Sequence, residues 1–267
     1  MRNNITIIIT LYKTPLEKLK NLNQYKKFKL IIFEQEGSLN SKKKIHKILK
    51  RKFEYLYSKK NIGLPKASNI LLNKVKSKYL LFTQADILIG ESAVLNLVKI
   101  FKKDKNIIFV TPTINKKIKK NKNFSFVKNI KAACMICDVK KLKKIGFFDD
   151  DYFLYWEDID LIKKINLSKF KMVLANNIFV KHQSSQSSKD NFKTLYLRSS
   201  NYIYGEFIYD FKHNKFRIIK IVRKFIQNLF LIFFDILRFR FKDSIIRVFK
   251  ICGILKFILY FFKKYLK

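Results

Sequence analysis

The sequence predicts an α/β fold, a mixed and mainly parallel sheet flanked by helices, followed by a C-terminal helical segment. Three observations lead there. Short apolar, β-rich runs alternate with helical patterns through roughly the first 110 residues, the pattern of strand–helix units. The first run, Ile5–Thr10, carries no charge, as a strand buried on both faces requires. Near residue 200 the composition shifts to continuous helical patterning, which separates a first domain, 1–204, from an extension, 205–267.

After Ile5–Thr10, Thr14-Pro15 opens a helix, with Thr14 as N-cap and Pro15 in the first turn. Lys29–Phe33 is the second strand and runs into the polar turn Glu34–Ser38; Phe53–Tyr57 is the third. A helix over Leu64–Val75 precedes the strand Tyr79–Phe82, and a helix over Glu91–Lys103 precedes Ile107–Val110, closed by Thr111-Pro112. Thr113–Asn129 is Lys- and Asn-rich with little periodicity and reads as a loop. Then come the strand Ile130–Val139, the helix Val139–Ile145 ended by Gly146, the helix Glu157–Leu167, and strands Lys171–Ala175 and Ile178–Val180. A Ser/Gln loop follows His182, and from Phe192 the pattern stays helical.

With 48% hydrophobic residues in 267, the chain has enough apolar side chain for a full core, which excludes a disordered polycation. Three cysteines are too few for a disulfide framework and point to a reducing compartment. The formal net charge of +39 invites two partners, nucleic acid or an anionic surface bearing phosphate. Part of it reflects a bias toward Lys, Ile, Asn, Phe and Tyr, the residues of A/T-rich codons. No targeting or spanning segment is expected: Met1–Thr10 lacks a signal-peptide core. Phe225–Leu237 and Ile251–Phe262 fall short of a membrane span and are broken by polar residues.

In so basic a chain the carboxylates are scarce, and their placement is informative. Thr83-Gln84-Ala85-Asp86 follows a buried strand, where ligands of parallel sheets sit; Asp86 suits a hard divalent cation on diphosphate oxygens. Six carboxylates fall within Asp149–Asp160, interleaved with aromatics. Asp158 and its neighbours start a helix, where the macrodipole favours negative charge and a carboxylate serves as general base toward a hydroxyl. His182, after a late strand, is a metal-ligand candidate, while His46 and His213 sit in basic helical stretches and receive no role. Cys134-Met135-Ile136-Cys137 has C-x-x-C spacing but lies in an apolar strand that sends the thiols to opposite faces, so it reads as core.

In this order the features resemble the bacterial family-2 glycosyltransferases of GT-A fold, in particular their rhamnosyltransferase-like branch, over Ile5 to about Tyr204. Thr10-Leu11-Tyr12 resembles the nucleotide-contacting opening, and Glu34 stands where the family has Asp toward the base. Asn61-Ile62-Gly63 through Asn69 resembles its N-x-G…N segment, and Gln84-Ala85-Asp86 its D-x-D. Gly146-Phe147-Phe148-Asp149 and Tyr155–Leu161 resemble G-x-F-D…F-x-Y-x-E-D-x-D-L. His182 with Ser185 or Ser187 resembles the late H-x-x-x-S, and Tyr196 to Tyr204, with Arg198, the terminal R-S/N-x-x-Y. Gln84 in place of the first Asp leaves one carboxylate for a metal.

The resemblance implies an inverting glycosyltransferase of surface-polysaccharide synthesis, moving a sugar from a nucleotide-diphosphate sugar to a hydroxyl of a glycan or lipid-linked acceptor. Donor contacts would be Thr10, Tyr12, Glu34, Asn61, Gly63, Asn69, Gln84 and Asp86. Asp86 and His182 would hold Mg²⁺ or Mn²⁺. Asp158 would be the base, with Glu157 as the alternative, Asp149 would hold sugar hydroxyls, and Trp156 would stack on the acceptor sugar. From Phe211 to Lys267 there are 15 Lys and Arg against two Asp among dense Phe, Ile and Leu. Runs such as Phe216–Phe225 predict a helix lying on an anionic membrane surface, which places the protein in the cytoplasm, peripheral on the inner membrane face. The alternatives are packing on the core or on a second copy as a homodimer.

Two rival functions are weaker. A nucleic-acid binder would not gather acids at its strand ends, facing phosphates, so no nucleic-acid partner is expected. A nucleotidyltransferase would carry a Gly-rich phosphate loop near the first strand, and none is present.

Overall fold

A computed structural model describes residues 2–115, 122–183 and 191–265. The chain forms two compact units, Met1–Asp149 with Leu161–Lys189, and Asp150–Asp160 with Asp190–Lys267.

The first unit holds a nine-stranded sheet in the order β3-β2-β1-β4-β8-β6-β9-β5, with β7 on β9. The strands are β1 (Ile5–Tyr12), β2 (Lys29–Gln35), β3 (Glu54–Ser58), β4 (Tyr79–Thr83), β5 (Ile87–Leu88), β6 (Ile107–Ile114), β7 (Phe124–Val127), β8 (Met135–Asp138) and β9 (Lys171–His182). Six of them (β1, β2, β3, β4, β6, β9) run one way and β5, β7 and β8 run against them, so the sheet is mixed and mainly parallel, as expected. Helices α1 (Leu16–Lys20), α2 (Leu39–Leu49), α3 (Leu64–Lys74), α4 (Glu91–Ile100), α5 (Val139–Ile145) and α6 (Glu157–Asn166) are interleaved with the strands. Separate apolar clusters cover the two faces: Ile7, Ile9 and Leu11 belong to one, Ile8, Phe33 and Leu80 to the other. Cys134 lies in the first and Cys137 in the second, both fully buried, so the C-x-x-C pair straddles the sheet as predicted. Burial pushes the Cys134 thiol up to about 12, which leaves it inert as a nucleophile or metal ligand.

Several element boundaries differ from expectation, each for a local reason. The strand expected to stop before Pro112 continues to Ile114. The register with β9 slips between Pro112 and Thr113, so the ladder skips Asn176–Ile178 and absorbs the missing proline N–H. For the same reason the two late strands are one, β9. The expected loop contains β7, whose four residues were too short a signal beside the Lys/Asn-rich background. Ile130–Val139 shortens to β8, since Asp138 caps α5 by accepting the Lys141 N–H at 3.1 Å. Helix α1 begins at Leu16, and Pro15 rather than Thr14 holds its N-cap position. Helix α2 lies where no helix was expected and starts at Ser38, whose Oγ accepts the Ser41 N–H at 3.1 Å.

The second unit is helical: α7 (Phe192–Lys212), α8 (Ile218–Leu237) and α9 (Phe241–Tyr265). A capping box, Asn191 with Thr194, starts α7. Tyr152, Ile203, Phe207, Ile221, Ile254 and Phe257 share its core. Lys220 and Lys224 of α8 reach Glu206 at 2.8 and 2.6 Å, and Lys220 also reaches Asp210, tying α8 to α7. Gly253 allows α9 to cross α7 closely, because a Cβ there would run into the Ser200 carbonyl. Gly253→Ala is therefore expected to lower stability by about 1–3 kcal/mol, although Ala favours a helix by roughly 1 kcal/mol over Gly. A denaturation midpoint equal to or above that of the parent chain would contradict this close crossing. None of the helices among the described residues is long and apolar enough to cross a membrane.

Candidate active site

In the first unit, register brings the carboxyl ends of β3, β2, β1 and β4 side by side: Glu34 lies between Leu11 and Tyr57, and Ile9 pairs with Thr83. Most of the expected donor contacts sit on or just beyond these ends. Thr10 and Tyr12 end β1, and neither the Thr10 Oγ1 nor the buried Tyr12 hydroxyl finds a partner among the described residues. Glu34 at the end of β2 is half-buried and accepts a hydrogen bond from the Tyr55 hydroxyl. Burial and that carboxylate raise the Tyr55 hydroxyl well above the ordinary tyrosine range.

The neighbouring loop is held by a residue the sequence did not single out. Buried Gln35 donates from Nε2 to the Gly63 carbonyl at 2.8 Å and accepts the Ile62 N–H at 2.9 Å. Asn61 accepts the Gly63 N–H at 3.0 Å, and Gly63, with φ of 89°, leads into α3. On α3, Asn69 donates to the Phe148 carbonyl at 2.8 Å and accepts the Phe148 N–H at 3.3 Å. It thus pins the loop that presents half-buried Asp149.

Beyond β4 the chain turns through Gln84, Ala85 and Asp86 into β5. Gln84, half-buried, accepts the Ile87 N–H through its carbonyl at 3.2 Å. Asp86 is 0% exposed, and neither carboxylate oxygen accepts a hydrogen bond from a described residue. The His182 Nε2 stands 3.4 Å from Asp86 Oδ2, because β5 pairs Ile87 with His182 at the end of β9. Asn115 fixes that end, accepting the His182 N–H at 2.7 Å and donating to its carbonyl at 2.8 Å. The short helical turn Asn21–Tyr25 fixes the other side. Asn21 donates to the Ala85 carbonyl at 3.0 Å, while Gln24 donates to the Ile87 carbonyl and accepts the Ile89 N–H. Ser185 and Ser187 lie outside the described residues.

The acidic island divides by role. Within the second unit, Lys212 and Lys264 approach Asp151 at 2.6 and 3.1 Å and the Tyr260 hydroxyl donates to it at 2.8 Å. Burial would raise this carboxyl, but those hydrogen bonds and charges outweigh it and bring it to about 2. Asp160, 1% exposed, meets His213 Nε2 at 2.9 Å. These two carboxylates are structural, and His213, which received no role from the sequence, is the partner of one of them. No local spacing reveals that pair, since the residues are 53 apart.

Glu157 and Asp158 remain. Both Tyr155 and Trp156, just before α6, have positive φ, 70° and 71°. Such a pair of bulky left-handed residues is strained backbone of the kind that clusters at functional sites. Gly205 of α7 makes room for it: a Cβ there would lie 2.9 Å from Trp156 Cδ1 and from the Tyr155 carbonyl. The Trp156 ring packs 5.4 Å from Tyr209 and 5.9 Å from Tyr202, and its buried Nε1 has no partner among the described residues. The strained turn delivers Glu157 and Asp158 to the first turn of α6. Glu157 is buried with Oε2 unpartnered among the described residues, and burial together with the Asp158 charge pushes it up to about 8. Asp158 is less enclosed and accepts the Ile159 N–H at 2.9 Å; burial raises it as well.

The folded protein thus holds a proton on Glu157 that the unfolded chain releases near 4.5. Stability contributed by the neutral carboxyl is present at acid pH and falls as pH rises from about 4.5 to about 8, because the native state binds more protons in that window. Glu157→Gln should therefore gain melting temperature relative to the parent at pH 8.5 but not at pH 5. An equal difference at both pH values would contradict the buried, protonated carboxyl.

Sheet order, the row of strand ends and the lone buried carboxylate after β4 define a fold like GT-A. The chain belongs to glycosyl transferase family 2, whose model matches residues 16–162. Among solved structures it resembles a mannosyltransferase, PcManGT from Pyrobaculum calidifontis, in complex with GDP-Man and Mn²⁺ (14% identity, TM-score 0.56, 79% of this chain). It also resembles residues 1–349 of TarS from S. aureus (10% identity, TM-score 0.50, 74% of this chain). The chain spans 65% and 64% of those two structures, and the likeness is one of fold. No curated protein matches it.

Proposed function

We propose that this chain is an inverting glycosyltransferase of the rhamnosyltransferase-like kind, acting in bacterial surface-polysaccharide synthesis. It would move a hexosyl or deoxyhexosyl group from a nucleotide-diphosphate sugar to a hydroxyl of a glycan or lipid-linked acceptor. The observation that carries this is Asp86: a fully buried carboxylate, unpartnered among the described residues, beside the His182 imidazole at the end of β4. A buried carboxylate that accepts no hydrogen bond from a described residue and has only an imidazole at 3.4 Å is costly, a cost that a ligand site explains.

The donor set fits a divalent cation. A carboxylate oxygen and a neutral imidazole suit Mn²⁺ or Mg²⁺. Asp86 and His182 are the residues that would hold it; among the described residues no cluster of three or more His, Cys, Asp or Glu is placed to hold an ion. Bound there, such an ion supplies charge neutralisation at the leaving diphosphate. The Mn²⁺ and GDP-Man of the mannosyltransferase neighbour support this assignment.

The chain's own groups supply the rest. Thr10 and Tyr12 offer unpartnered hydroxyls at the end of β1, and Glu34, oriented by Tyr55, faces the base. Asp158 accepts the acceptor's hydroxyl proton as that oxygen attacks the anomeric carbon. The bond to the diphosphate oxygen breaks, its electron pair leaves with the nucleotide, and configuration inverts. Asp149 holds sugar hydroxyls. Glu157, protonated at neutral pH, leaves the base role to Asp158.

The test is thermal stabilisation by a panel of GDP-, UDP- and dTDP-sugars, with and without Mn²⁺ or Mg²⁺. A shift that needs both nucleotide and metal is expected; no shift with any combination would overturn the assignment.

A further inference from the structure

We propose that the outward face of α8 is a membrane-surface site that lies in the plane of an anionic bilayer. Ile219, Val222, Ile226, Phe230, Phe233 and Leu237 recur at steps of three and four and are each 51–76% exposed. That spacing puts them on one side of the helix. A continuous stripe of large apolar side chains facing water marks an interaction surface.

The opposite side of α8 is already committed within its unit. Ile221, Asn228 and Asp235 are buried, Phe225 packs against the helical core, and Lys220 and Lys224 are paired with α7. The amphipathic run Phe216–Phe225 divides accordingly. Phe216, Ile221 and Phe225 turn inward with the two lysines, and Ile219, Val222 and Arg223 face out.

Charge selects the occupant. Arg217, Arg223 and Arg238 are exposed along the helix and at its ends, while the one acid of α8, Asp235, is buried. A second copy would oppose these arginines with its own, in a chain of net charge +39, and like charges across an interface disfavour it. Anionic headgroups complement them. A 20-residue helix is about 30 Å long, yet no helix among the described residues is apolar enough to cross, so the helix lies flat, apolar face down.

The full-length chain, mixed with phosphatidylcholine vesicles containing about 30% phosphatidylglycerol, should cosediment with them and only weakly with pure phosphatidylcholine. At about 0.5 M NaCl, where charge attraction is largely screened, the Phe230→Ser/Phe233→Ser variant should need at least about tenfold more lipid for half-binding. Both positions are exposed, so its melting temperature should match the parent's. Lys102→Ser/Lys103→Ser, which removes two exposed cations elsewhere, should bind like the parent in high salt.

Equal binding by the Phe230/Phe233 variant and the parent would overturn the proposal, as would equal affinity for both vesicle types. Self-association that the same variant abolishes, without vesicle binding, would assign the face to a second copy. The assay reads no sugar transfer, so its failure leaves the transfer reading untouched.

Discussion

The Asp158→Asn chain is expected to lose at least about 10²-fold in turnover while folding normally. The amide keeps the size of the carboxylate and can still accept the Ile159 N–H. It cannot accept the proton of an attacking hydroxyl. Because burial raises Asp158 and pushes Glu157 up to about 8, the two titrate as a coupled pair. A general base works deprotonated, so the rate should rise with pH along an acid limb above the ordinary carboxylate range and then level off. Glu157→Gln replaces an acid that is still neutral where Asp158 ionises, and burial rather than Glu157 raises Asp158, so the limb should stay close to its position in the parent. Measurement of kcat/KM against pH for the parent and both variants separates the roles. Full activity in Asp158→Asn with a large loss in Glu157→Gln would move the base to Glu157.

Asp86→Asn should act in opposite directions on function and stability. The proposed cation loses its only carboxylate, so transfer should fall by about 10²–10³-fold, and stabilisation by nucleotide sugar with metal should vanish. Without ligands, the variant should melt at or above the parent, because a fully buried carboxylate that accepts no hydrogen bond from a described residue and has only the His182 imidazole at 3.4 Å is exchanged for a neutral amide. Each kcal/mol gained corresponds to roughly 2–4 °C at this size. A melting temperature that falls together with activity would instead make Asp86 a structural residue, held by its pairing with His182.

Both predictions concern residues legible in the sequence, since a carboxylate is conspicuous in a chain of net charge +39. Their neighbours were less legible. Gln35, Asn21, Gln24 and Asn115 hold the donor-side loops through hydrogen bonds to backbone carbonyls and N–H groups. Such clamps leave no motif, because any polar side chain of the right length makes them. The acidic island illustrates the limit from the other side. Six carboxylates looked like one site, yet Asp151 is bound by lysines from α7 and α9 and Asp160 by a histidine at the end of α7. The same holds for Tyr155 and Trp156: their strained backbone and the glycine that accommodates it, Gly205, are 50 or so residues apart.

The alternation of strands and helices, the buried first strand, the carboxylate after β4 and the opposite-facing thiols of Cys134 and Cys137 were all in the sequence. Each is set by period-2 or 3.6 patterning and by where a charge interrupts it, and these are local properties of the chain. The tertiary structure alone decided which carboxylates stay unpartnered and which face of α8 is covered. Both depend on long-range partners, and whether a charge or an apolar stripe is satisfied is a matter of what packs against it rather than of its neighbours in sequence.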